Sequence, residues 1–259
     1  MLTLKLFLVP SLICAITLAA RRWGPAVGGW LSGFPIVSAP VLFFITVEQG
    51  ADFAAPAAAA TLSAVPAALI FIMAYAWLAT RATWVVSLLS ALLVYFIAVG
   101  LLYIAAPPVY VSAPLVYAAI WWAPPFFPRT IAPSTSPPFR GIELALRMLA
   151  GAALVLALTY FAPDLGPRWS GLLAMFPLLA IVLAAFSHRE TGAGFTILLL
   201  RGMVLGYYAF TTFCLVLALA LPVLDVGGAF VLALACACIV QALVRSAAGR
   251  DRPRSVPHP

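Results

Sequence analysis

The stretch from Gly24 to Phe53, GPAVGGWLSGFPIVSAPVLFFITVEQGADF, recurs 142 positions later as Gly166 to Phe195, GPRWSGLLAMFPLLAIVLAAFSHRETGAGF. Eleven of the 30 aligned positions are identical: Gly24/Gly166, Pro25/Pro167, Gly29/Gly171, Leu31/Leu173, Phe34/Phe176, Pro35/Pro177, Phe44/Phe186, Glu48/Glu190, Gly50/Gly192, Ala51/Ala193 and Phe53/Phe195. Shared Leu and Ala carry little weight in so apolar a chain. A shared Phe-Pro and a shared Glu-x-Gly-Ala-x-Phe at one offset carry more. A duplicated unit restricts the architecture before any other property is considered, because each copy has to fold as the same supersecondary piece.

The solvent of that piece follows from composition. Hydrophobic residues make up 65% of the 259 positions and charged ones 8%, with a mean hydropathy of +1.14. A soluble domain carries roughly a quarter charged residues, so this chain cannot cover itself for water. Its apolar runs reach the roughly 20 residues of a spanning helix instead of the alternating segments of about ten that build outer-membrane barrels. The expected fold class is therefore an all-α integral membrane protein. Nine apolar segments can be marked, at 3–20, 26–47, 53–79, 83–105, 109–127, 141–161, 168–187, 193–221 and 224–245. The Pro- and Ser-rich PPFFPRTIAPSTSPPFR reads as a loop, and the polar tail SAAGRDRPRSVPHP, with His258, as disordered and solvated. The N-terminal run has the basic start of a signal peptide. No small-x-small site precedes Arg21, and the offset pairs the run with the span from Ala145 to Ala162, so it reads as helix one.

Loop charges set the orientation. With the N-terminus outside, Arg21, Arg22, Arg81, Arg129, Arg140, Arg189, Arg245, Arg250, Arg252 and Arg254 fall on the cytoplasmic side, against Lys5 and Arg168 outside. Glu48, Asp52, Asp164 and Asp225 lie outside as well. The net charge of +7 is then a cytoplasmic excess of Arg and indicates no nucleic-acid partner. Residues 1–105 form repeat unit one with four helices, 106–140 the joining fifth helix and its loop, 141–246 repeat unit two, and 247–259 the basic tail. One joining helix sends the second unit into the bilayer from the opposite side, giving two inverted-topology four-helix repeats. Such repeats are common in secondary transporters, whose halves exchange conformations around a midplane site.

Several residues stand out against this background. Phe34-Pro35 and Phe176-Pro177 fall inside helices two and seven, where proline removes an amide donor and clashes with the preceding turn. Freed backbone groups at membrane depth must be satisfied by protein or water, which is how transporters build solute sites. The alternative is a packed kink, with Gly24/Gly28 and Gly29/Gly33 admitting a neighbouring helix. Glu48 and Glu190 end the same two helices on opposite membrane faces, as carboxylates that bind a cation or gate access by protonation, or as solvated helix ends beside a glycine. His188 beside Glu190 has the titration range of a pH sensor. Arg201, eight residues into helix eight, either snorkels to the headgroups or holds an anionic group. Arg147 has Glu143 one turn earlier as an i,i+4 partner. The candidate solute-binding residues are thus Phe34, Pro35, Glu48, Phe176, Pro177, Glu190 and Arg201.

Trp121, Trp122, Phe126 and Phe127 read as an interfacial aromatic belt. Cys14, Cys214, Cys236 and Cys238 read as small apolar helix residues. No Ser-His-Asp arrangement, metal-ligand set or phosphate-cradling loop is present in the sequence, so neither an enzyme nor a cofactor is expected.

The second unit, RWSGLLAMFPLLAIVLAAFSHRETGAGFTILLLRGMVLGYYAF, resembles the small GlpM-type bacterial membrane proteins, each about the size of one unit. The shared features are Gly171-Leu172, Phe176-Pro177, Gly192, Arg201-Gly202-Met203 and Tyr207-Tyr208. Taken over roughly residues 147–245, the resemblance implies a multi-pass protein of the bacterial inner membrane. Members are linked to alginate production, which implies a role in export of an envelope polysaccharide or its precursors. This chain differs in carrying two units, where single-unit proteins would dimerise. Two functions are expected from different classes: a secondary transporter or exporter of a small solute, or a non-transporting partner of an envelope-polysaccharide machine. The implied partners are the lipid bilayer, a small solute, and a homo-oligomer or an envelope-synthesis protein.

Overall fold

Apolar runs of this length can satisfy their backbone in lipid only as helices or closed barrels, and among the described residues every regular element is helical. The computed structural model describes residues 2–36, 38–130, 141–161, 169, 172 and 175–250. The loop at 131–140, the Asp164 and Arg168 loop, Gly171 and the tail from 251 lie outside that set. The elements are α1 (Leu2–Trp23), α2 (Pro25–Ser32), α3 (Ser38–Gln49), α4 (Ala51–Ser63), α5 (Val65–Leu78), α6 (Trp84–Ala105) and α7 (Val109–Trp122), with a 3₁₀ turn at Pro124–Phe126. They continue as α8 (Gly141–Phe161), α9 (Leu178–Thr191), α10 (Ala193–Ala220) and α11 (Val226–Arg250). The run expected as a single second helix is thus split into α2 and α3, with the Phe34-Pro35 pair in the gap. The third is notched at Ala64, where Pro66 opens α5.

Among the described residues, four stretches are long and apolar enough to cross a membrane: Ala51–Leu78, Trp84–Ala105, Ala193–Ala220 and Val226–Ala247. Their burial sorts them into two layers. The most apolar windows of Ala51–Leu78 and Ala193–Ala220 are each 67% buried, against 28% for the other two. The first pair is the centre of the bundle, with Leu62, Phe71, Ile72 and Tyr75 meeting Leu200, Val204, Phe213 and Leu217 in one core. α6 packs on α5 and α11 packs on α10 as an outer layer, while α7 lies across α4 and α10. On α6 the side chains of Leu89, Leu93, Ile97, Leu101 and Ile104 are all more than half exposed. An apolar stripe of that extent belongs against lipid tails, since water would penalise it heavily.

Each inner stretch begins and ends 142 positions from its counterpart, and each outer helix begins 142 positions from its own. The helix starts agree in backbone detail too. Gly50 before α4 has φ 84 and ψ 170, and Gly192 before α10 has φ 87 and ψ 177. Only glycine adopts such positive-φ extended geometry without strain, so the shared glycine in the two halves answers a shared requirement of the chain path.

α2 lies alongside α10 at backbone contact. Gly29 and Gly33 on α2 and its C-cap meet Leu199, Met203 and Gly206, and Gly202 and Gly206 meet Ala26 and Gly33 in return. Small residues four apart on both partners allow this approach. The packing role expected for the glycines of helix two is realised at Gly28, Gly29 and Gly33, whereas a Cβ at Gly24 would meet open space.

Candidate functional site: two Phe-Pro turns around one cavity

Proline has no amide to give to the preceding turn, and the chain resolves that loss in the same way at both Phe-Pro pairs. The Ile36 N–H donates to the Phe34 carbonyl at 2.7 Å, and the Leu178 N–H donates to the Phe176 carbonyl at 2.7 Å. Each bond closes a three-residue turn about the proline. Pro177, at φ −78 and ψ 49, sits near the inverse γ-turn minimum. The next helix then starts on the proline carbonyl, with Ala39 N–H to Pro35 O at 2.9 Å and Ile181 N–H to Pro177 O at 2.8 Å. All four bonds match at the offset of 142.

The first break also releases the Trp30 carbonyl, because the Phe34 N–H turns to Leu31 O at 3.2 Å. Gln241 of α11 takes its place, donating Nε2 to Trp30 O at 3.1 Å. Gln241 is buried. The reading of the sequence missed this residue, although a lone amide inside an apolar helix is a signal in itself.

The two turns face one cavity of about 60 Å³. Ser32, Phe34 and Ser38 line it from the first half, Phe176 and Pro177 from the second, and Tyr207 of α10 from the side. Pro35 is buried next to Phe34. The Phe176 ring is held edge-on against Tyr95 of α6, with centroids 5.8 Å apart. The cavity has room for a few waters and is well below the roughly 300 Å³ at which small-molecule sites begin. Three of the expected residues, Phe34, Phe176 and Pro177, are therefore brought together on the cavity, while Pro35 follows Phe34 without lining it.

The charged candidates are distributed differently. Glu190 forms an ion pair with Arg147 of α8, which is 4% exposed. Arg21 of α1 lies 3.9 Å from both Glu190 and Glu143. The guanidinium of Arg147 also sits over the Phe186 ring at 5.7 Å. The expected i,i+4 pairing of Glu143 with Arg147 is thus replaced by an interhelical one. Arg147 points into the α8–α9 contact, where only a buried carboxylate offsets the cost of its charge, and Glu143 on the first turn of α8 reaches Arg21 instead.

Glu48, the counterpart of Glu190, is exposed at the end of α3 and has no ion pair among the described residues. His188 stands against Tyr75 of α5, Nδ1 to hydroxyl 3.4 Å and ring centroids 5.9 Å apart. Arg201 is exposed on α10 and does not line the Phe-Pro cavity. Trp121, Trp122 and Phe126 are exposed, whereas Phe127 is buried. The four cysteines are free thiols, with Cys214 fully buried. Among the described residues no group of three His, Cys, Asp or Glu side chains stands where it would hold a metal ion.

No family model, curated protein or solved structure matches this chain.

Proposed function

We propose that this chain is a secondary transporter or exporter that moves a small solute across the bacterial inner membrane by exchange between two inverted halves. The observation that carries the reading is the meeting of two identically built Phe-Pro turns on one cavity. Helices interrupted at membrane depth, in corresponding positions of two repeats, are how such proteins bring backbone groups to a solute. The matching helix starts and glycine caps support a duplicated unit, and the loop charges support nine spans, opposite insertion of the halves and a cytoplasmic C-terminus. A cavity this small corresponds to a closed arrangement of the two halves, so the solute enters when they move apart.

The test is solute flux in proteoliposomes, screened across sugars, polyols and small acids with counterflow of labelled solute. Counterflow that is present in wild type and lost in a Phe34→Ala/Phe176→Ala variant of normal abundance is the expected result. Absence of flux for every class in folded, inserted protein would remove the reading.

The resemblance to GlpM-type proteins supports the second reading, a non-transporting partner in alginate-like polysaccharide synthesis or export. Pull-down from detergent that recovers envelope-synthesis proteins, together with absent flux, would favour it.

A further inference from the structure

One helical turn from the Phe-Pro cavity lies a second, smaller one. Leu179 and Met203 line the first; Leu183 and Leu199, four residues away on the same two helices, line the second. At 1.5 Å per residue the two are about 6 Å apart along the α9–α10 groove. The second cavity, about 10 Å³, is bounded by Arg21, Arg147, Thr17 and Ser187. Thr17 is 3% exposed and Ser187 is 1% exposed, and neither hydroxyl oxygen has a hydrogen-bond partner among the described residues. Buried hydroxyls left unpaired are costly and uncommon, so two that share one pocket with a buried guanidinium indicate a ligand that accepts hydrogen bonds.

We propose that this pocket binds the carboxylate of a small organic acid, and that Glu190 competes with the acid as a tethered carboxylate for the same Arg147. The inference rests on the transporter reading and names its solute class. Charge selects the ligand: two arginines and two glutamates leave the cluster neutral, so an incoming single negative charge is balanced when Glu190 gives up its place. A cation would meet two guanidinium groups and find no spare carboxylate. Geometry selects which partner moves. Arg147 is 4% exposed in the body of α8, whereas Glu190 sits in the last turn of α9, one residue before its end. The acid's carboxylate takes the space of the departing Glu190 carboxylate together with the adjoining cavity, and Thr17 and Ser187 donate to it. The groove toward Leu179 and Met203 then links this point to the Phe-Pro turns.

The experiment uses the purified full-length chain in detergent and follows its thermal midpoint during titration with sodium acetate, against sodium chloride at equal ionic strength. An internal competitor reduces apparent affinity by the fraction of time it holds the site. Glu190→Gln is therefore expected to respond at acetate concentrations about tenfold below those wild type needs, and Glu190→Gln/Arg147→Gln is expected not to respond. Equal responses of the single and double variants, or chloride acting as well as acetate, overturn the site. If Glu190→Gln does not survive purification, Glu190→Asp keeps the charge one methylene short, and its midpoint is expected to respond at acetate concentrations lower than those of wild type; a response identical to wild type overturns the site. The two readings fail separately. Acetate binding in a protein that moves no solute removes the transporter and leaves the site, whereas flux of uncharged solutes without any acetate response removes the site and leaves the transporter.

Discussion

Gly29 lies against the Leu199 carbonyl with no space for a Cβ between them. One turn further the approach is repeated, where a Cβ on Gly33 would stand 2.6 Å from the Met203 oxygen and 2.7 Å from the Gly206 Cα. The neighbour at each point is backbone, which cannot rotate aside. This contact carries the chain straight into Phe34-Pro35, so it sets where the first broken helix meets α10.

Gly29→Ala and Gly33→Ala are therefore expected to lower stability by about 1–3 kcal/mol through overpacking. Gly100→Ala is the control, since its added methyl meets open space on α6 and relieves a helix of a poor helix former, a gain of up to about 1 kcal/mol. Reversible unfolding in mixed micelles measures all three. A Gly29→Ala midpoint equal to that of Gly100→Ala would show that the two helices do not rely on this approach.

Gln241→Leu tests how the break in the first half is sustained. It removes the donor from the Trp30 carbonyl, leaving a buried acceptor unsatisfied. Interhelical hydrogen bonds in membranes contribute about 0.6–2 kcal/mol, so a loss of that size is expected by the same unfolding measurement. Flux should fall further than abundance, because the carbonyl lies four residues before Phe34. An unchanged stability would mean that water or another group already satisfies Trp30.

These two sites also mark what the sequence disclosed and what it withheld. Phe-Pro repeated at one offset is a local signal, since proline disrupts a helix wherever it falls in the interior, and both Phe-Pro turns lie where the pattern puts them. Glycines four apart are similarly legible. Gln241 meets Trp30 across 211 positions of chain, and no spacing rule reaches that far. The partner of Arg147 was misread for a related reason. The i,i+4 rule describes an isolated helix surface, whereas Arg147 is buried between helices and takes the carboxylate that α9 brings to it. Arg201 and Arg147 look alike in sequence, each a cation inside an apolar run. One is 4% exposed and the other lies on the surface, a difference set only by which face of the helix the bundle covers.

Arg201 accordingly yields a directional prediction. An exposed guanidinium on an apolar helix reaches the headgroups by snorkelling, and a flexible ammonium does the same. Arg201→Lys is expected to retain insertion, stability and flux within about 0.5 kcal/mol of wild type, as for surface substitutions generally. Arg147→Lys is expected to lose flux, since Lys lacks the planar fork that matches a carboxylate. Comparing the two at equal membrane abundance separates a lipid-facing charge from a site charge. Loss of flux in Arg201→Lys would return Arg201 to the solute path.

Topology supplies the remaining prediction, which depends on no ligand. Gln49 ends α3 and Arg189 lies in the last turn of α9, and both are exposed. The proposed opposite insertion of the two halves would put these corresponding loops on opposite faces of the membrane, Gln49 outside and Arg189 in the cytoplasm. Single cysteines placed there as Gln49→Cys and Arg189→Cys, in a chain whose four native cysteines are replaced, should label differently in intact cells. A membrane-impermeant maleimide is expected to modify the first from the periplasm, and the second only after the membrane is opened. The native set has to be removed because Cys238 is exposed on α11. Labelling of both positions from the periplasm would make the halves parallel. The two Phe-Pro turns would then approach their cavity from the same side, and exchange between inverted halves would no longer be available as a mechanism.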